Sequence, residues 1–166
     1  MKPRFLLLPG LAALLLAGCG FQLRGAATLP PEMARTHMVI DDQYSTLARR
    51  VTILLERNGI KLVDAEQATA VLEVPQNEVI TEVLTIGDNA RVREYRVTQT
   101  VRFRLTDTAG REIVPWQTLR QAREISFDEQ QILASSREQE YLREALGQTL
   151  AQLLVARLES LYVSQG

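Results

Sequence analysis

Few residues in this 166-residue chain could do covalent chemistry. Cys19 is the only thiol and His37 the only imidazole. A lone histidine leaves a His-based triad open, but it excludes a histidine-rich metal site. The acid pairs Asp41/Asp42 and Glu78/Glu82 read as solvated edges rather than as working carboxylates. No glycine-rich loop lies between an expected strand and an expected helix, so nothing cradles a phosphate. We therefore expect no catalytic residue, no metal and no enzyme. The groups that remain are guanidinium forks, which bind phosphate and carboxylate bidentately. Arg91 and Arg93 flank the turn at 87–90, and Arg137 stands at the start of the last helix. Arg96, Arg102 and Arg104 alternate along one strand with Thr98 and Thr100 on the same face. Together these could hold an anionic headgroup or meet a partner. The plainer alternative is a solvated sheet face, on which arginine and threonine are ordinary.

Cys19 has an informative context. Met1-Lys2-Pro3-Arg4 carries two positive charges, and Phe5 to Ala17 is an apolar run broken only by Pro9 and Gly10. That is the layout of a secretion signal. The run is shorter than the roughly 20 apolar residues that span a bilayer. Leu16-Ala17-Gly18-Cys19 resembles the lipobox of bacterial lipoproteins. The resemblance implies an S-diacylglycerol on Cys19, cleavage just before it, and an N-acyl group on the new terminus. A cleaved signal with an incidental cysteine is the alternative, but such a thiol would have no disulfide partner. Each buried methylene contributes about 0.8 kcal/mol, so two or three acyl chains hold a protein where one does so only marginally. Gly20 follows the cysteine where aspartate commonly marks retention in the inner membrane. This resembles the outer-membrane sorting class, lipid-anchored on the periplasmic side. Apart from the lipid, no cofactor is expected.

Composition sets further bounds. Removing residues 1–18 as the signal peptide leaves 148 (166 − 18), enough for one domain with a real core. The signal takes Lys2 and Arg4 from the 19 basic residues and none of the 20 acids, leaving a net charge of about −3. Such a balance gives no footing for nucleic acid. Residues 19–36, with Gly20, Gly25, Pro30 and Pro31, read as a lipidated tether, and 37–166 as a single folded domain.

The pattern along that domain predicts β-α-β-β-β-α. Met38-Val39-Ile40 is a buried strand. Ser45 caps a helix to about Asn58, with Leu47, Ala48, Val51, Leu54 and Leu55 on one stripe and Gly59 as its stop. Ala70 to Val74 and Glu78 to Ile86 are strand-like, with Pro75 marking a bulge or an edge. Tyr95, Val97, Val101, Phe103 and Leu105 point one way from the clearest strand, with Gln99 the exception. A third long strand runs from Glu112 to Phe127. Ser136 with Gln139 suggests a capping box for the last helix. Its leucine stripe, from Leu142 through Leu161, would cover the sheet or, alternatively, join a coiled coil. The expected fold is α+β: a four-stranded mixed sheet with two helices on one face, a β-α-β crossover, then an antiparallel meander.

Gly18-Cys19-Gly20-Phe21-Gln22-Leu23-Arg24-Gly25 is similar to the mature start of the LptE family of lipopolysaccharide-assembly lipoproteins. Likeness continues at Leu54 to Gly59, at Glu94-Tyr95 and at Ser126-Phe127-Asp128. The resemblance implies two helices on a four-stranded sheet. It also implies a lipoprotein that plugs the LptD outer-membrane barrel, helps it assemble, and assists delivery of lipopolysaccharide to the outer leaflet. Direct lipopolysaccharide contact would fall to Arg91 and Arg93 at the hairpin turn and to Arg137 near Ser135. The alternatives are a ligand-free scaffold lipoprotein of another assembly complex and a lipid-anchored hydrolase, the second disfavoured by the missing nucleophile–base pair.

Overall fold

The computed structural model of the chain describes residues 28–86, 92–126 and 132–164. Strand β1 (Arg35–Ile40) buries Thr36 and Ile40. After it, Ser45 caps helix α1 (Thr46–Arg57): its hydroxyl accepts the Ala48 N–H at 3.2 Å, satisfying one of the first turn's orphan donors. Leu47, Ala48, Val51 and Leu55 are the buried stripe of α1. The Asn58 amide donates to the Leu54 carbonyl at 2.7 Å, and Gly59, at φ +83, takes the left-handed conformation that ends the helix.

A correction follows at once. Lys61–Leu62 forms a two-residue strand, β2, parallel to β1, so the sheet has five strands and not the four expected. Two residues carry no period, so pattern cannot reveal them. Tertiary bonds hold them instead: the Val63 N–H donates to the Thr36 carbonyl at 3.1 Å, and His37 Nδ1 donates to the Val63 carbonyl at 3.1 Å. The chain's one histidine thus fastens the sheet edge.

The three long strands are β3 (Ala70–Ile86), β4 (Val92–Asp107) and β5 (Glu112–Ser126). The sheet order is β2-β1-β3-β4-β5. β1 and β3 are parallel, as a crossover through α1 requires, and β3-β4-β5 is the expected antiparallel meander. β3 runs through Pro75 without a break. Its register on β4 slips between Glu73 and Gln76, a bulge at the proline, and β1 pairs with it only up to Ile40 opposite Val74. A second slip near Leu84 breaks the single face expected for Ile80, Leu84 and Ile86.

Helix α2 (Ile132–Val163) starts earlier than the capping box suggested, so Ser136 lies inside the helix rather than at its cap. Leu133 and Ala134 are strong helix formers, and propensity carries the helix past the serine. Leu146, Leu150, Leu154 and Leu158 are buried on α1 and the sheet, while Leu153 falls off the stripe. Both helices and the helix-side residues of β3, β4 and β5 form one core, with Phe103 its largest member. The helices meet closely at Gly147, where a Cβ would stand 3.2 Å from the Thr46 side chain. The packed body also takes in residues assigned to the tether. Met33 is wholly buried, Leu29 packs on the core, and the Thr28 N–H donates to Glu159 at 3.1 Å.

Candidate functional site

Alternation along β4 divides its side chains between two faces. Val97, Val101, Phe103 and Leu105 are fully buried under the helices. Arg96, Thr98, Thr100, Arg102 and Arg104 share the outer face, where the register shows what stands beside each. On β3, Glu73 lies opposite Arg104, Gln76 opposite Arg102, Glu78 opposite Thr100, Ile80 opposite Thr98 and Glu82 opposite Arg96. On β5, Glu124 lies opposite Arg96, Ala122 opposite Thr98, Arg120 opposite Thr100 and Thr118 opposite Arg102.

The arginine row is therefore flanked by carboxylates, and the contacts close. Arg104 makes a fork with Glu73, Nε to Oε1 and Nη2 to Oε2 both at 3.0 Å, and reaches Glu112 at 3.9 Å. Arg96 gives Nε and Nη2 to one Glu124 oxygen at 3.0 and 2.6 Å. That hydrogen bond, with the charge of Glu124 behind it, raises the Arg96 pKa. Arg102 and Arg104 both stack on the Trp116 ring, 4.4 and 4.6 Å from its centroid. The face resembles a charge-compensated lattice more than an anion-binding patch.

Thr98 corrects another expectation. It is only 4% exposed, although it belongs to the outer face. Ile80 and Ala122 flank it across the sheet, and Arg96 and Thr100 flank it along the strand, so neighbouring side chains cover its short one. Its hydroxyl has no hydrogen-bond partner among the described residues. On the helix side, Gln99 is buried and its Nε2 donates to Asn77 Oδ1 at 2.6 Å. That bond satisfies one end of the buried amide, while its Oε1 has no hydrogen-bond partner among the described residues.

The remaining expected site residues fall elsewhere. Arg91 lies outside the described residues, Arg93 belongs to β4, and Arg137 is exposed on α2. The turn between β4 and β5 is organised by Asp107. Its Oδ1 accepts the N–H groups of Ala109 at 2.9 Å and Arg111 at 2.8 Å, and its Oδ2 accepts Arg111 Nε at 2.6 Å. The backbone N–H of Arg111 is the foremost cause holding this carboxyl below the usual carboxylate range. Gly110, at φ +82, completes the turn. Among the described residues, no three acidic, cysteine or histidine side chains gather as a metal site. No helix among them is long and apolar enough to cross a membrane.

Reading the sequence missed the partners of the arginines. Glu73, Glu112 and Glu124 lie on two other strands, and Trp116 sits where β5 slips register. The acids are too widely spaced along β3 and β5 to form a pattern, and only the register shows which of them face the arginines.

Comparison with known proteins gives the lineage. The LptE family profile, described as lipopolysaccharide-assembly, matches residues 35–158. The LPS-assembly lipoprotein LptE of Pectobacterium atrosepticum is 29% identical over 163 residues, covering 97% of this chain and 88% of that protein. Its counterpart in Yersinia pestis is 30% identical over 168 residues, covering 99% of this chain and 80% of that protein. Among solved structures, the rare lipoprotein B of Shewanella oneidensis superposes with a TM-score of 0.68 at 25% identity, covering 79% of this chain and 98% of that one. An uncharacterized lipoprotein B of Nitrosomonas europaea gives a TM-score of 0.68 at 24% identity, covering 85% of this chain and 91% of that one. With the family profile matching most of its length, the chain belongs to the LptE family of non-enzymatic lipopolysaccharide-assembly lipoproteins.

Proposed function

We propose that this protein, held by lipid on Cys19 at the periplasmic side of the outer membrane, plugs an LptD-type β-barrel. In that place it helps the barrel assemble and assists delivery of lipopolysaccharide to the outer leaflet. The observation that carries this reading, beside family membership, is the outer sheet face. Its arginines are locked by Glu73, Glu112 and Glu124 and by Trp116 into a polar surface over a self-sufficient core. A large barrel encloses a polar, wet lumen, and a plug must be folded on its own and polar outside. Arg96, Thr100, Arg102 and Arg104 would meet lumen side chains by hydrogen bonds. The protein would act by placement, with no covalent step. Contact with lipopolysaccharide would fall to Arg91, Arg93 and Arg137.

The test is an affinity pull-down of the tagged protein extracted from membranes, with mass spectrometry of what accompanies it. A stoichiometric LptD-type barrel supports the proposal, and its absence refutes it. Reversing charge with Arg91→Glu and Arg93→Glu should weaken lipopolysaccharide binding by about tenfold, or about 1.4 kcal/mol, while thermal melting is unchanged. Undiminished binding would remove those two residues from the site. One observation favours a second reading, a scaffold without a ligand of its own: Arg96 and Arg104 already have carboxylate partners. Failure to bind any glycolipid, together with a different barrel in the pull-down, would select that reading.

A further inference from the structure

The far end of β3 is an unpaired edge. β3 has two neighbours in the sheet, β1 and β4, and the β1 ladder ends at Ile40 opposite Val74. Pro75 follows, with no N–H to continue a ladder. From Gln76 to Ile86 the strand pairs only with β4, and among the described residues nothing pairs on its other side. That leaves a row of backbone donors and acceptors about 35 Å long, at 3.2–3.4 Å per residue, turned to the surroundings.

This edge is charged at Glu78 and Glu82 and bounded by bulges, but it lacks other devices that blunt edges. It is long and holds no lysine or proline beyond residue 75. Both of its faces expose apolar side chains. Val79 and Val83 stand on the helix side and Ile80 on the outer side, and with Leu84 and Ile86 they are between 39% and 63% exposed. A long, unpaired edge that exposes apolar side chains is a template for another strand.

The charges on the edge identify what it can receive. Glu78 and Glu82 bracket Ile80 on the outer face, and neither makes an ion pair within 4.0 Å among the described residues. A second copy pairing antiparallel with Ile80 on Ile80 would set Glu78 against Glu82 twice, and like charges directly opposite destabilise a ladder. The paired side of the strand shows an accepted neighbour: β4 puts Arg96 opposite Glu82 and the small Thr98 opposite Ile80. We infer that residues 76–86 are a strand-addition site for an extended segment of a partner protein, one carrying two basic side chains four positions apart around an apolar or small residue. Main-chain hydrogen bonds would supply the affinity, and the glutamates would set the register. The inference does not depend on the plug reading, because it rests on the free ladder and its charges.

The probe is a synthetic peptide as long as the free edge, alternating valine with threonine and carrying two arginines four positions apart. The full lipoprotein, purified in detergent, is followed by amide hydrogen exchange with and without it. The expected result is at least about fivefold slower exchange at alternate amides between 76 and 86. The same peptide with glutamates for arginines should give no slowing. A chain carrying Glu78→Arg and Glu82→Arg, both on an exposed edge, should exchange that preference for the acidic peptide. The arginine peptide N-methylated along its length keeps its side chains and loses its donors, so it should not bind. Unchanged exchange at 76–86, slowing confined to other segments, or equal binding of the N-methylated peptide would overturn the inference. So would concentration-dependent slowing without peptide, accompanied by a dimer in sedimentation, since the occupant would then be a second copy.

Discussion

At the end of the sheet near Phe103, every strand is backed. Leu72 and Val74 on β3, Val101, Phe103 and Leu105 on β4 and Val114 on β5 all lie under α1 or α2 with almost no exposure. At the other end the strands part company. Val97 on β4 and Ile125 on β5 stay buried, yet Val79 and Val83 on the same face of β3 are about half exposed. The strands do not differ in propensity between the two ends. They differ in cover: α2 packs on β5 and β4, and neither helix packs as closely on β3. The hydrophobic effect is collected only where a second layer lies over the first, so one strand is core at one end and surface at the other.

The strongest way to break this contrast is to cut into the backed end. Phe103→Ala should cost about 3–5 kcal/mol in urea unfolding. A loss below about 1 kcal/mol would mean that the core there is not close-packed. At the outer face, Glu73→Gln removes one arm of the Arg104 fork and should cost about 1–2 kcal/mol, since Glu112 and Trp116 still hold the guanidinium. At the uncovered end, Ile80→Thr should change stability by less than about 0.5 kcal/mol. A loss like that of Phe103→Ala would show that the edge is covered in solution.

The smallest effect concerns pH and sharpens the picture of the backed end. Asp107 has its pKa lowered in the fold, chiefly by the Arg111 N–H. Its stabilisation is therefore present above the ordinary carboxylate value of about 3.9 and is lost only as the pH falls through the lower folded value. The Ala109 and Arg111 amides should keep their exchange protection at about pH 4.5 and lose it in stronger acid. Loss of protection already near pH 5 would mean that the turn is not held by this carboxylate.

The same contrast explains what could be read beforehand. Ser45, Gly59 and the α1 stripe were legible because cap, stop and period agree within a dozen residues. The alternation of β4 was legible for the same reason, and so was Pro75 as an irregularity. β2 was not, because two residues leave no pattern. Helix propensity overrode a plausible cap at Ser136. The arginines could be placed on one face, but not with their partners. Glu73 and Glu124 reach them only through the register of two hairpins, which is set by bulges and turns that local composition does not encode.

Gly147 has a mechanical consequence. Residues Leu146 and Gln148 on either side of it carry side chains, so sliding or rotating α2 by one position would crowd a Cβ against Thr46, which would have to give by a few tenths of an ångström. The helix thus makes its closest fit to α1 at Gly147 among the described glycines. From that point, the stretch from Ile132 to Leu146 extends about 22 Å toward the helix start, at 1.5 Å per residue. That stretch carries Arg137. A tilt of about 5° at Gly147 would swing the far end by about 2 Å at that length. Any tilt of α2 at Gly147 would therefore be largest at the far end of the helix.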